Sequence, residues 1–185
     1  MSMEYKAYSN RIALLEMPIV SASRLYRGVW KDPPWNEEFS SIGALKEILK
    51  PFMKRYGVAI LAKQGRRVIG GTTGWVMNRT ELSQHMGMDF SDKTLSLERV
   101  FYIAEVFVHS SMRGKGIGRK LTEMLMKEVE SKSVPLFHPF LFPTFVLRTD
   151  VGAIPARELY SSLGFLERVD WIDDKHPNRT YWIKG

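Results

Sequence analysis

Residues 101–121 read FYIAEVFVHSSMRGKGIGRKL, and their order of apolar, polar and glycine residues decides the fold. From Phe101 to Val108 nearly every position is apolar, whichever face it would point to, as in a strand covered on both sides. One acid, Glu105, interrupts the run. A polar turn at Ser110 and Ser111 follows, then Gly114, Gly116 and Gly118 threaded with Arg113, Lys115, Arg119 and Lys120. Beyond the turn, Ile117, Leu121, Met124, Leu125 and Val129 recur at helical spacing and predict a helix to about Lys132. A strand feeding a glycine-rich turn and then a helix has a direct use. The first N–H groups of the helix point outward unpaired, and the helix dipole favours an anion there. Glycines let a phosphate approach the backbone, and the basic side chains add charge. The plainer reading is a tight turn with solvated basic residues. Two phosphate motifs do not fit. No Gly-Lys-Ser or Gly-Lys-Thr occurs for a P-loop. A dinucleotide fingerprint begun at Gly114 needs glycine where Arg119 stands.

Upstream, residues 18–30 read as a helix opened by Pro18, with Ile19, Leu25, Tyr26 and Val29 on one side. Pro33 and Pro34 force an extended turn. A second helix starts near Ser41, with Ile42, Leu45, Ile48, Leu49 and Phe52 on one face, and Pro51 should kink or end it. VAILAK and RRVIGGTTGWVM, joined across Gln64-Gly65, predict a hairpin. Gly70, Gly71 and Gly74 mark a bulge or a close backbone approach in its second strand. Residues 79–98 are polar and aperiodic and read as a long loop with room for a short helix. Downstream, VPLFHPFLFP is an irregular apolar crossing, TFVLRTD a strand and IPARELYSSLGF a helix ended by Gly164. FLERVDWI and RTYWIKG form a last antiparallel pair. The order is mixed α/β with a central strand–helix–strand crossover.

The 185 residues suit one domain over 1–185. No apolar stretch nears the ~18 residues of a membrane span, and the start lacks the pattern of a secretory signal. The absence of cysteine excludes disulfides, thiolate metal sites and a cysteine nucleophile. A cytoplasmic protein is the simplest expectation. The net charge of +7, from 27 basic and 20 acidic residues, suits a phosphorylated ligand, nucleic acid or an anionic membrane. A nucleic-acid binder should interleave basic residues with exposed aromatics along one face. The densest basic cluster is instead the glycine corner, so nucleic acid and membrane are not the expected partners. His85, His109, His138 and His176 show no metal-ligand spacing, and no metal is expected.

Arg113-Gly114-Lys115-Gly116-Ile117-Gly118 resembles the R/Q-x-x-G-x-G/A acyl-CoA loop of the GNAT superfamily of N-acetyltransferases. Its context agrees on both sides. Val106-Phe107-Val108 is similar to the family's strand segment whose backbone pairs with the pantetheine arm. ARELYSSLGF is similar to A-x-x-L-Y-x-x-x-G-F, with Ala156, Leu159, Tyr160, Gly164 and Phe165 in register. The order of elements along nearly the whole chain is also similar. The sequence departs from the family at Ala153, where asparagine often contacts the cofactor, and at Ser110, where proline is frequent. The resemblance implies a mixed, mostly antiparallel central sheet flanked by helices. It implies acetyl-CoA as co-substrate, bound by residues 106–108 and by Arg113 to Arg119: Arg113, Gly114, Lys115, Gly116, Ile117, Gly118 and Arg119. The reaction it implies is direct attack of a primary amine on the thioester in a ternary complex, with backbone N–H groups near Val106 meeting the oxyanion.

Such chemistry needs a base for the amine and an acid for the departing thiolate. Glu105, flanked by Ala104 and Val106 in an apolar run, is the candidate base, because desolvation raises a carboxyl pKa. The alternative is a structural acid paired with a buried Arg or Tyr; Glu98 and other acids of the 79–98 loop stay open. Tyr160 stands at the family position that commonly donates a proton to the thiolate; otherwise it packs with Leu159 and Leu163. Trp30, Trp35, Phe39, Phe137 and Phe140 are candidates for an aromatic acceptor pocket, for the core or for a homodimer contact. Glu37, Glu38, Glu81 and Asp89 could attract a cationic amine. The acceptor class, from polyamine to protein amino terminus, stays open. A non-catalytic acyl-CoA-binding module is the alternative function.

Overall fold

Met3–Tyr8 forms strand β1, which no periodic pattern announces. It lies antiparallel on the edge of a hairpin, Tyr8 against Ala59 and Met3 against Gln64. Its ends are fastened by burial of Tyr8, 1% exposed, and a Lys63–Glu4 ion pair. The structure, a computed structural model, describes residues 2–87, 99–132, 144–173 and 176–185. A short helix α1 (Arg11–Leu15) and helix α2 (Ile19–Trp30) follow. Helix α2 buries Ala22, Leu25, Tyr26 and Val29. Helix α3 (Ser41–Leu49) is capped by the Ser40 hydroxyl, which accepts the Gly43 N–H at 3.0 Å. Pro51 ends it in one 3₁₀ turn, Lys50–Met53. Ile42, expected on the apolar face, is 67% exposed; α3 buries Ala44 and Ile48 instead.

The expected hairpin is β2 (Val58–Gln64) and β3 (Arg67–Asn78). The polar stretch after it opens with helix α4 (Arg79–Met86), fixed by a reciprocal cap. The Asn78 side chain accepts the Glu81 N–H, and the Glu81 carboxylate accepts the Asn78 N–H, both at 2.9 Å. Glu81 thus serves its own helix. Asp89 and Glu98 lie outside the described residues, as do Phe137, His138, Phe140 and the VPLFHPFLFP crossing. Strand β4 (Arg99–Val108) runs through the turn into α5 (Ile117–Lys132), then come β5 (Phe145–Asp150), α6 (Ile154–Ser162), β6 (Leu166–Glu167) and β7 (Arg179–Lys184). The expected penultimate strand is thus only two residues long.

These strands make one sheet in the order β1-β2-β3-β4-β5-β7-β6, antiparallel except where β4 and β5 run parallel. Helices α5 and α6 cover one face through Ile117, Leu121, Leu125, Val129 and Tyr160. The other face carries α2 and α3 over Leu61, Val68 and Phe107, and α4 over Trp75, Val100 and Tyr102. Strand β4 is central and covered on both faces, as its composition requires.

Two features of β4 create a site. Its pairing with β5 spans only Phe101–Phe145, Tyr102–Val146 and Ile103–Leu147. Past that point the strands diverge and residues 105–108 keep only their β3 partner. At the same point the register with β3 slips: Glu105 faces Thr73 while Ile103 faces Gly74. Ala104 is therefore a bulge, and it reverses the alternation of side chains. Phe101 and Ile103 face α5; after the bulge Val106 and Val108 do so, while Phe107 joins the α2 side. Strict alternation would have sent Glu105 into the core under α5.

Phe107 fits only because β3 carries glycine beneath it. A Cβ on Gly71 would lie 2.5 Å from Phe107 Cζ and 2.9 Å from Leu61 Cδ2. Gly71→Ala should cost about 1–3 kcal/mol by overpacking, read as a lower denaturation midpoint. Combining it with Phe107→Leu should recover part of the loss; additive losses would mean that the clash is not the cause.

Candidate active site

The glycine corner is built by a conformational demand. Gly114 and Gly116 take φ of +73° and +74°, the left-handed region, and a Cβ on either would meet nothing within 4 Å. These positions need glycine for backbone conformation and leave the space above the turn open. Helix α5 makes its first intrahelical bond from Lys120 N–H to Gly116 C=O, at 3.0 Å. The N–H groups just before Lys120 have no partner within the helix, and the sixteen-residue helix directs its dipole at the same point. Gly118 lets the helix lie against Val106, Val108 and Leu159, whose atoms would be 3.4–4.0 Å from an added Cβ.

Side chains around the corner are already engaged. Arg113 donates to Asp32 at 2.9 Å and to the Val108 carbonyl at 3.3 Å, tying the turn to the end of α2. Arg119 donates to Ser162 at 2.6 Å, linking α5 to α6. Ile117 and Phe107 are 1% exposed, so only their backbones can face a ligand. The structure thus brings residues 106–108 and 113–119 together around the mouth of the β4–β5 divergence. His109 closes the strand, with its ring against Arg67 and Ser111.

Glu105 lies on the opposite side of that divergence, at the floor of a cavity of about 220 Å³. Tyr26, Trp30, Trp35, Phe39, Trp75 and Tyr102 wall it. Trp30 stacks edge-on against Trp35, centroids 4.6 Å apart, and Tyr26 packs on Phe39 and Phe107 at 5.1 and 5.5 Å. The described aromatics named from the sequence are therefore pocket walls. Burial first, then the charge of Glu47, pushes the Glu105 carboxyl up to about 8; Lys50, Arg148 and the Tyr26 hydroxyl pull the other way. A second base could be His85, but burial, Arg148 and Lys50 hold it down at about 4. Near neutral pH Glu105 is the stronger proton acceptor of the two.

Tyr160 sits on α6, 6% exposed, its ring 6.0 Å from Phe165 and 6.4 Å from Trp182. Burial, then the charges of Glu105 and Tyr102, raise its pKa, so the phenol keeps its proton. Its ring belongs to the core beneath α5 and α6, on the other side of the sheet from the cavity that Glu105 lines. Of the acids named as amine attractors, Glu37 lines the cavity and Glu38 pairs at the surface with Lys31 at 3.2 Å.

The sequence reading passes over several cavity residues. Glu47 and Lys50 pair at 2.9 Å, and Arg179 donates to Glu37 at 2.9 Å while lying over the Trp35 ring. Arg148 rises from β5 beside them. Arg148 had a signal of the same kind as Glu105, a charge inside an apolar strand. The others come from separate elements that only the fold assembles. A wider hollow of about 770 Å³ between α2 and the start of β3 is lined by Arg24, Arg66 and Arg67 but not by the acid. Among the described residues no cluster of His, Asp and Glu could hold a metal, and no helix is long and apolar enough to cross a membrane.

A sheet whose central strands part beside a glycine-rich helix start, with an acid on the far side, is the architecture of an acyl-CoA-dependent acetyltransferase. The sequence matches the acetyltransferase (GNAT) domain over residues 55–167, more than half of the chain. The chain belongs to the GNAT acetyltransferase family. Comparison with curated proteins gives no significant match. Solved structures share the fold end to end. PH1933 of Pyrococcus horikoshii superposes with a TM-score of 0.64 at 19% identity, covering 98% of both chains. Ard1 of Thermoplasma volcanium gives 0.62 at 12% identity, over 100% of this chain and 97% of the other. PaiA N-acetyltransferase of Thermoplasma acidophilum, solved with coenzyme A, gives 0.61 at 15% identity over 100% and 99%.

Proposed function

We propose that the protein is a cytoplasmic N-acetyltransferase that moves the acetyl group of acetyl-CoA to a primary amine within a ternary complex. The observation that carries this reading is the coincidence of three features at one point of β4. There the strand parts from β5, opens onto the unpaired N–H groups of α5, and turns Glu105 into the aromatic cavity. The pyrophosphate would rest on the N–H groups of Gly114 to Arg119, and the pantetheine arm would take the free edge of residues 106–108. The thioester would then end in the gap, with backbone N–H groups near Val106 turned toward its carbonyl oxygen.

The amine enters from the cavity and attacks the carbonyl carbon. Glu105 takes the proton the nitrogen must lose. The C–S bond breaks, and Tyr160 supplies the proton that the thiolate needs. The products are an amide and free CoA, and the proton taken by Glu105 passes through solvent to restore the Tyr160 hydroxyl.

Thiol release measured over a panel of amines with acetyl-CoA tests the activity. Binding of acetyl-CoA with no turnover of any amine would leave the alternative, a non-catalytic acyl-CoA-binding module. The phosphate site has its own test. Gly116→Val forces a β-branched side chain into the left-handed region and projects it into the open space above the turn. CoA affinity should fall by roughly ten- to a hundredfold, since each ~1.4 kcal/mol is tenfold, with the circular-dichroism spectrum unchanged. Unaltered affinity by calorimetry would move the pyrophosphate elsewhere.

A further inference from the structure

Resting on the acetyltransferase reading, we infer that the acceptor is a small amine that also carries a carboxylate, and that Arg148 receives that carboxylate. Among the described residues three cations line the cavity, and two of them are neutralised within it. Lys50 lies 2.9 Å from Glu47, and Arg179 lies 2.9 Å from Glu37. Arg148 differs. Among the described residues its nearest carboxylate, Asp173, is 3.7 Å away. That carboxylate is already engaged, by the Tyr181 hydroxyl at 2.6 Å and the His176 N–H at 2.9 Å. A guanidinium has five N–H donors in a planar fork suited to a carboxylate; among the described residues Arg148 meets Asp173 and the Tyr181 hydroxyl, which leaves donors for a guest.

The side chain is also held in place. Arg148 and Tyr181 are register partners on β5 and β7. Tyr181 and Asp173, 0% and 2% exposed, form a rigid buried layer behind it. An arginine fixed from behind and open in front is preorganised to bind an anion. It shares its face of the sheet with Val146, which stands opposite Tyr102, one step before the bulge that presents Glu105. An acceptor can thus place its amine at Glu105 and its carboxylate at Arg148, on either side of the diverging strands. The cavity of about 220 Å³ lies below the ~300–1,000 Å³ usual for ligand pockets. This favours an amino-acid-sized guest over a peptide segment, whose first residue has its α-carboxyl tied up in the peptide bond.

The experiment uses matched pairs: free amino acids, α- and ω-, each beside its carboxamide, with thiol release from acetyl-CoA as the readout. Wild-type protein should favour the acid over its amide by roughly ten- to a hundredfold in kcat/KM, the scale of a charged hydrogen-bonded contact. In Arg148→Gln both substrates lose some turnover, because the Arg148 charge holds the Glu105 carboxyl down, but the acid should also lose most of its advantage over the amide, chiefly through KM. Equal turnover of acid and amide by the wild type overturns the inference, and so does an equal loss of both in Arg148→Gln. Should that variant not fold, the wild-type comparison decides alone. Acetyl-CoA binding is measured separately by calorimetry. Protein that binds acetyl-CoA and acetylates only amines lacking a carboxylate refutes this inference but not the acetyltransferase reading, whereas protein that binds no acetyl-CoA refutes both.

Discussion

Glu105→Gln should lower kcat/KM by roughly a hundred- to ten-thousandfold near pH 8, the span expected for loss of a general base. The variant keeps the size and most hydrogen bonding of the side chain, so the loss reports the missing proton acceptor. The pH profile carries the finer test. With the Glu105 carboxyl pushed up to about 8 by burial and by Glu47, only about one molecule in ten has the ionised base at pH 7. Measured with an acceptor whose own amine titrates below 7, wild-type kcat/KM should climb about tenfold per pH unit and level off above 8. The variant should lack that limb. A limb that survives in Glu105→Gln would assign the base to another group.

The same shift has a consequence for stability. The folded state holds the Glu105 proton up to about pH 8, whereas the unfolded chain releases it near 4.5. The folded protein therefore binds more protons in that window, and this contribution to stability declines as the pH rises through it. Relative to wild type, Glu105→Gln should gain thermal stability at pH 9 and show no such gain at pH 4. A variant equally stable, relative to wild type, at both pH values would mean that the carboxyl is not strongly desolvated.

Tyr160→Phe should reduce turnover by roughly ten- to a thousandfold, within or just below the ~10²–10⁴ typical of general acid catalysis. The ring, which packs on Phe165 and Trp182, is retained, so CoA affinity and melting temperature should hardly move. The loss should fall on kcat rather than KM, because the interaction strengthens only as the thiolate forms. A variant with normal turnover would leave Tyr160 a packing residue and pass the proton donor's role to water.

Much of the fold was legible because local chemistry was strong. The hairpin, the central strand, α5 and α6 follow from apolar runs, helical spacing and the glycines at the turns. The glycine corner was readable for the same reason: positive φ at Gly114 and Gly116 leaves almost no other residue type. Strand β1 was not legible, because MEYKAY has no signal of its own and becomes a strand by pairing with the edge of β2. Ile42 fits the helical pattern of α3, yet among the described residues no element packs over it, and it stays exposed. The 79–98 stretch yielded α4 only through the reciprocal Asn78–Glu81 cap.

The cavity is divided in the same way. Trp30, Trp35, Phe39 and Glu37 were visible as a cluster in the sequence, and Glu105 as an acid in an apolar strand. What sequence alone determined is the family-level architecture and the glycine corner, since both are written in contiguous residues with strict backbone demands. Only the tertiary structure decided which way Glu105 points, because one unpaired residue, Ala104, inverts the alternation of β4. Only it could join Tyr26, Glu47, Lys50, Arg148 and Arg179 around one cavity. They stand on α2, α3, the 3₁₀ turn, β5 and β7, and no spacing rule connects residues that meet only when a sheet forms and its two central strands diverge.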